Sequence, residues 1–272
     1  MNEKVVIITG ASSGFGRLAA IEAARRGYRV VASARRAERL TDLVREIEER
    51  GGSAIAVPGD VTNSDDQQRL IDAALERFGR IDALVNNAGV PLPGGFADSS
   101  LADLRRQWDT NVTSLIELTK RALPALQESR GTVINVGSLA GNFSLPGWGL
   151  YYPTKVAVRS VSDALRRELK PLGVTVSLVE PGPFRTEFAH RAGLSRPESF
   201  GLRPEPAARA IVQLIERPRR LRVLPRWLWL PTAVGAALVR LLPGVVDLAI
   251  ALYLRRRQRA EARRESREVA TA

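Results

Sequence analysis

The residues of this 272-residue chain best suited to proton chemistry are Tyr151 and Lys155, four positions apart, with Ser138 upstream of them. Four residues is about one helical turn, so the phenol and the ammonium share a helix face. A free phenol has a pKa near ~10 and is a poor base at neutral pH. An ammonium held beside it favours the phenolate and pulls that value toward the working range. Tyr-x-x-x-Lys also arises by chance on helix surfaces, so its meaning depends on what precedes it in the chain.

Composition narrows the chemistry available. The sequence has no Cys, so a disulfide, a thiolate nucleophile and a Cys-ligated metal are excluded. Its single His, His190, argues against a Ser-His-Asp triad and a His-based metal site, and no metal is expected. Chemistry then falls to Tyr, Lys, Ser, Asn, carboxylates or a bound cofactor. Met1 to Lys4 lead directly into Val5–Ile8, an apolar run too short for a signal peptide, and the expected location is cytoplasmic. The net charge of +12 is uneven: residues 203–272 carry 15 basic and 6 acidic side chains. The basicity belongs to the C-terminal segment, not to the part that carries Tyr151.

The elements that must position these groups follow from the order of the chain. Val5–Ile8 is a continuous β-branched run, as in a strand buried on both faces of a parallel sheet. It enters Thr9-Gly10-Ala11-Ser12-Ser13-Gly14-Phe15-Gly16 and then a helical pattern ending at Gly27. A strand, a glycine-rich turn and a helix N-terminus together suit a pyrophosphate: the turn permits close backbone approach and the helix offers unpaired N–H groups. A second strand, Tyr28 to Ser33, ends at Ala34-Arg35-Arg36. NAD-preferring folds usually place a carboxylate there for the ribose 2′-hydroxyl. Arg35, with Arg17 near in sequence, favours a 2′-phosphate instead, hence NADP; otherwise Arg35 and Arg36 merely open a solvated helix. Further strands are expected at Ala54–Val57, Ile81–Val85, Thr132–Val136 and Val174–Val179. Between them come helices at Ser64–Phe78, Leu101–Gln127 and Tyr151–Lys170. This alternation predicts an α/β fold, a Rossmann-like doubly wound parallel sheet of about seven strands with helices on both faces. The glycine turn, Asn86, Ser138 and Pro181 all fall at strand carboxyl ends and should meet at one crevice.

With these motifs in order, the chain resembles the short-chain dehydrogenase/reductase family of the simple one-domain kind, from Val5 to about Glu216. Thr9 to Gly16 is similar to the family's Thr-Gly-x-x-x-Gly-x-Gly cofactor turn, with Phe15 in place of the commoner Ile. The resemblance implies cofactor contacts from Gly10, Ser12, Ser13, Gly14, Phe15 and Gly16, and from Arg35, Asp60 and Val61. It adds Asn87, Ala88 and Gly89 of the Asn-Asn-Ala-Gly turn, and Pro181, Gly182 and Thr186 for the nicotinamide amide. It implies a catalytic set of Asn111, Ser138, Tyr151 and Lys155, the last two also touching the cofactor. Tyr151 would exchange a proton with the substrate oxygen, Lys155 would lower its pKa and hold the nicotinamide ribose, Ser138 would fix the oxygen, and Asn111 would anchor a relay water. Pro153, inside Tyr-x-x-x-Lys, requires that the helix start just before it; Gly147 and Gly149 suit such a start.

Bulky apolar residues surround these motifs. Leu92, Phe143, Trp148, Phe184 and Phe188 are the expected substrate contacts, with Phe96, Leu145 and Leu150 nearby, and point to a hydrophobic ketone, aldehyde or secondary alcohol such as a lipid, retinoid or steroid-like molecule. The alternative is that they only pack their own loops. The chain therefore divides, on sequence, into a Rossmann-fold domain over residues 1–220 and an amphipathic, basic helical extension over 221–272. Pro243 should split the extension into two short helices, and residues 221–257, with Trp227, Trp229 and flanking arginines, suit a peripheral membrane surface. Covering the enzyme's own core or a homo-oligomer interface is the competing use. The Arg255–Arg267 run interleaves Glu261 and Glu265 at helical spacing, as in a solvated helix rather than a nucleic-acid arm. The reading is an NADP-dependent oxidoreductase of a hydrophobic small molecule, expected as a homo-oligomer with no nucleic-acid partner; its rival is a non-catalytic NADP-binding sensor or scaffold.

Overall fold

The computed structural model describes residues 4–142, 144–192 and 201–253. Seven strands form one parallel sheet in the order β3-β2-β1-β4-β5-β6-β7. They are β1 (Val5–Thr9), β2 (Arg29–Ala34), β3 (Ser53–Pro58), β4 (Ala83–Asn86), β5 (Thr132–Val136), β6 (Thr175–Pro181) and β7 (Leu221–Leu224). The helices between them are α1 (Gly14–Arg25), α2 (Ala37–Glu49), α3 (Ser64–Phe78), α4 (Leu101–Trp108), α5 (Ser114–Glu128), α6 (Tyr151–Leu169), the short α7 (Glu187–Arg191) and α8 (Glu205–Glu216).

The burial of β1 explains the three layers. Every residue of Val5–Thr9 is buried, because successive side chains enter opposite cores. Val6 and Ile8 pack with Ala19, Ala20 and Ala23 of α1, Leu40 and Leu43 of α2, and Ile211 of α8. Val5 and Ile7 pack with Leu70 and Ala74 of α3 and Leu118, Ala122 and Leu126 of α5. The small alanines of α1 let that helix lie close to the sheet. That closeness keeps the glycine turn tight against the end of β1.

The order reverses between β1 and β4, which pair directly although β2 and β3 come between them in the chain. Such a reversal opens a crevice at the strands' carboxyl ends. Thr9 closes it from β1 and Asn87 from the turn after β4. The Thr9 hydroxyl accepts hydrogen bonds from Asn87 N and Ala88 N, both at 3.0 Å, and Asn87 Nδ2 donates to Thr9 O at 2.9 Å.

Two expectations are corrected here. The helix expected over Leu101–Gln127 is interrupted by a π-helical turn at Asp109–Thr113, which carries Asn111. The expected boundary at residue 220 is too early, because Leu221–Leu224 is a sheet strand paired with Leu178–Pro181 of β6. The contacts divide the chain after Trp229 instead. The four-residue strand is too short for periodicity to reveal, and its apolar residues read as the start of the tail.

Beyond that boundary, α9 (Trp229–Leu241) and a helix over Pro243–Tyr253 form a pair bent by 110°. The break falls at Leu242, just before Pro243, whose ring and missing N–H favour a helix start. Among the described residues no single helix is long and apolar enough to cross a membrane, although the bent pair has the length and composition together. The arginine run at 255–267 lies outside the described residues.

Candidate functional site

Tyr151 is the first residue of α6, so Pro153 lies in its first turn, where a missing N–H costs nothing. The turn before it needs a left-handed residue at Gly149, whose φ is 53°. An added Cβ there would also lie 2.9 Å from Leu92 Cδ2. Two backbone hydrogen bonds, Gly94 N to Gly147 O at 3.2 Å and Gly149 N to Gly94 O at 3.1 Å, bind this turn to the loop after β4. Gln107 holds it from below, its Oε1 accepting from Leu150 N at 2.8 Å.

Ser138, Tyr151 and Lys155 meet as their spacing predicts. Ser138 hydrogen-bonds the Tyr151 side chain, and Lys155 Nζ lies 5.7 Å from the centre of the Tyr151 ring. Lys155 is buried and donates to Val136 O at 3.1 Å. Burial pushes its pKa from 10.5 to about 8. Tyr151 departs from the expected direction: burial raises it to about 12, and only the Ser138 hydrogen bond pulls it down. Desolvation outweighs that bond, so Tyr151 is a neutral phenol and a ready proton donor.

Asn111 fastens two segments together. Its Oδ1 accepts from Val90 N at 2.8 Å, while Nδ2 donates to Val90 O and Thr154 Oγ1, both at 3.1 Å. A Cβ at Gly89 would lie 3.2 Å from Asn111 Oδ1 and 3.8 Å from Lys155 Nζ, so the Asn-Asn-Ala-Gly turn reaches Lys155. The turn after Ser138 is pinned by an ion pair that the sequence did not disclose. Arg159 Nη1 lies 3.0 Å from Glu180 Oε1, and both side chains bond Asn142. Burial raises the Glu180 pKa against the opposing pull of Arg159. A second buried chain, Asn86 to Asn135 at 2.9 Å and Asn135 to Ser162 at 2.9 Å, ties β4 to β5 and α6.

A nicotinamide dinucleotide fits the residues at the crevice. A Cβ at Gly16 would lie 2.4 Å from Gly10 O, so only glycine lets α1 start this close to the turn. No side chain caps the first N–H groups of α1, which leaves them for an anion. Thr186 lies over the turn, 3.5 Å from an added Gly14 Cβ. Gly182 N donates to Leu224 O at 2.8 Å, which fixes the Pro181-Gly182 segment to β7. Asp60 accepts from Thr62 N at 2.9 Å, and Val61 O accepts from Gln67 Nε2 at 2.7 Å.

The basic residues are arranged differently from the sequence expectation. Arg17 pairs with Glu46 of α2 at 2.5 Å and so is committed elsewhere. Arg35 is exposed and sits 3.7 Å from Asp60. It is Arg36 that reaches the glycine turn, donating to Ser12 Oγ and Ser13 Oγ at 2.9 Å. In sequence Arg36 looks like a residue that merely opens α2, since only the fold aims its side chain back at the turn.

The substrate side is partly corrected. Trp148 and Phe188 flank the Tyr151 ring, with centroids 5.6 and 5.5 Å away, and Tyr152 lies edge-on at 6.1 Å. Leu92 packs beside them at Gly149. Phe184, however, is only 8% exposed and packs edge-on against Phe15 at 5.3 Å, inside the core beneath α1. Its ring is thus spent on Phe15 of the glycine turn. Phe143 lies outside the described residues.

Comparison with known proteins agrees with this geometry. The short chain dehydrogenase family model matches residues 4–196. Sulfoacetaldehyde reductase 2 of Chromohalobacter salexigens is 41% identical over 68% of this chain and 74% of its own. A short-chain dehydrogenase/reductase of Burkholderia phymatum in complex with NAD superposes with a TM-score of 0.77 at 28% identity, covering 88% of this chain and 94% of its own. A variant of the actinorhodin polyketide ketoreductase with NADPH gives 0.75 at 27% identity, covering 81% and 95%. The chain belongs to the short chain dehydrogenase family of oxidoreductases.

Proposed function

We propose that the protein is an NADP-dependent oxidoreductase of hydrophobic ketones or aldehydes and the corresponding secondary alcohols, with Tyr151 as the general acid and base. The observation that carries this reading is the Tyr151 hydroxyl, hydrogen-bonded to Ser138 beneath an apolar wall of Trp148 and Phe188. The nicotinamide, when bound, supplies or accepts the hydride. In reduction the Tyr151 phenol, neutral in the free protein, donates its proton to the carbonyl oxygen, and Ser138 orients that oxygen. Lys155 brings the nearby positive charge that favours the resulting phenolate. Apolar rings around the phenol exclude water and favour substrates of like character.

The NADP preference rests on Arg36, Arg39 and Arg35 near the end of β2 and on the absence of a carboxylate at Ala34. The NADPH complex of the polyketide ketoreductase agrees with it, while the NAD complex of the Burkholderia protein shows that the fold accepts either cofactor. NADPH consumption with ketones and aldehydes of graded apolar size, against NADH, tests the reading. Turnover should grow with apolar size, require NADPH and vanish in Tyr151→Phe. NADPH binding without turnover across the series would favour the sensor role, and equal turnover in the Phe variant would remove Tyr151 as the acid.

A membrane surface is a second element of the reading, favoured by the exposed apolar residues of the bent helix pair. Trp227, Leu230, Val234, Leu241, Val245 and Leu248 are all exposed, and Arg226 and Arg240 lie among them. Full-length protein should float with vesicles containing anionic lipid, and Val245→Glu with Leu248→Glu should weaken this at least about tenfold. If these variants instead lower the molecular mass in solution while flotation persists, the patch builds an oligomer.

A further inference from the structure

The loop after β6 carries a carboxylate into the cation cluster beside the glycine turn. Glu187 Oε1 accepts from Arg36 Nη1 at 2.8 Å and from Arg191 Nη2 at 3.2 Å. Its Oε2 accepts from Arg36 Nη2 and Arg39 Nη1, each at 3.0 Å. Arg36 meets it as a two-pronged fork while also holding the Ser12 and Ser13 hydroxyls at 2.9 Å. Three guanidiniums around one anion, with the Ser13 hydroxyl bonded to it as well, form a donor set suited to a phosphate group. The anion in this free protein is supplied by the chain itself. Arg36 above all, with help from Ser13 and Arg191, holds the Glu187 carboxyl far below the usual carboxylate range.

We propose that Glu187 is a built-in competitor for the 2′-phosphate of NADP, occupying the Arg36–Arg39 donor set until the cofactor displaces it. The proposal rests on the NADP reading and adds the residue that sets its strength. A phosphate monoester carries a charge near ~−1.5 to −2 and three acceptor oxygens, against one charge and two oxygens for Glu187. It therefore wins the guanidiniums, but its net affinity is reduced by the pairs that must first open. NAD has no 2′-phosphate to exchange and gains nothing from that opening. Because Glu187 is the first residue of α7 and Phe188 follows it against Tyr151, the same short helix also bears on the substrate side.

Calorimetric binding of NADP+, NAD+ and adenosine 2′,5′-bisphosphate to the full-length wild type, Glu187→Gln and Glu187→Ala tests this. Both variants should bind NADP+ and the bisphosphate about three- to tenfold more tightly, the range of a half-exposed ion-pair cluster removed. Their affinity for NAD+ should not rise. Retained NAD+ binding reports that the turn remains folded, which a simple failure to fold would abolish. Unchanged or weaker NADP+ binding in both variants overturns the proposal, as does an equal gain for NAD+. A wild type that binds NADP+ no better than NAD+, and does not bind the bisphosphate, overturns the underlying NADP reading whatever the variants do.

Discussion

Replacing Lys155 by Met keeps most of the side-chain volume and removes the buried amine. Burial lowers the Lys155 pKa from 10.5 to about 8, so the fold disfavours its charged form by about 3 kcal/mol relative to the unfolded chain. Below pH 8 both states carry the proton, and the wild type bears this cost in full. Between pH 8 and 10.5 the folded protein has released the proton and the unfolded chain has not, so wild-type stability rises with pH. Above 10.5 the cost is gone. Methionine avoids it at every pH, but leaves Val136 O without the 3.1 Å hydrogen bond from Lys155, a loss of about 1 kcal/mol. Lys155→Met should therefore be more stable than wild type by about 2 kcal/mol at pH 7, or about 4–8 °C for a domain of this size. By pH 11 the order should reverse. Tyr151, raised to about 12 by burial, acts the opposite way, because the folded state keeps its proton while the unfolded chain loses it from about pH 10. That contribution is common to both proteins and cancels in their difference. Urea melts of both proteins at pH 7, 9 and 11 give the curve, and NADPH turnover should be lost in the variant. A variant less stable than wild type at pH 7, or a difference that does not change with pH, would refute the reading of Lys155 as an ammonium destabilised by its burial.

Three further substitutions separate the corrected from the retained parts of the site. Gly16→Ala puts a Cβ 2.4 Å from Gly10 O and 2.5 Å from Asn87 Nδ2; it should lower stability by about 1–3 kcal/mol in thermal melts and abolish dinucleotide binding measured by calorimetry. Phe184→Ala, in the core against Phe15, should cost about 3 kcal/mol or more in urea melts with little change in substrate KM. Phe188→Ala should do the reverse, raising KM for large apolar ketones with a small effect on stability.

Order along the chain was enough for the sheet, the glycine turn and the meeting of Tyr151 with Lys155. Val5–Ile8 is apolar at every position because both faces of β1 are covered, and that continuous pattern survives in one dimension. Tyr151 and Lys155 are legible for a similar reason: their relation is one turn of one helix, a local geometry. The short-range rules also carried Pro153, which fits only because α6 starts at Tyr151. They did not disclose the π turn that carries Asn111, since one widened turn of five residues is too short to set a periodicity of its own.

What depended on distant segments was decided by the tertiary structure. Phe184 and Phe188 are both aromatic and lie on the same loop, yet one is buried against Phe15 and the other lies against Tyr151. Arg35 and Arg36 are chemically identical neighbours, but only Arg36 turns back to Ser12, Ser13 and Glu187, the last of them 151 residues away in the chain. The direction of the Tyr151 shift was likewise invisible, because a sequence shows that an ammonium is near but not how much water burial removes. Local spacing fixes which groups share an element. Desolvation and long-range ion pairing, which need the packed chain, fix what each of those groups can do.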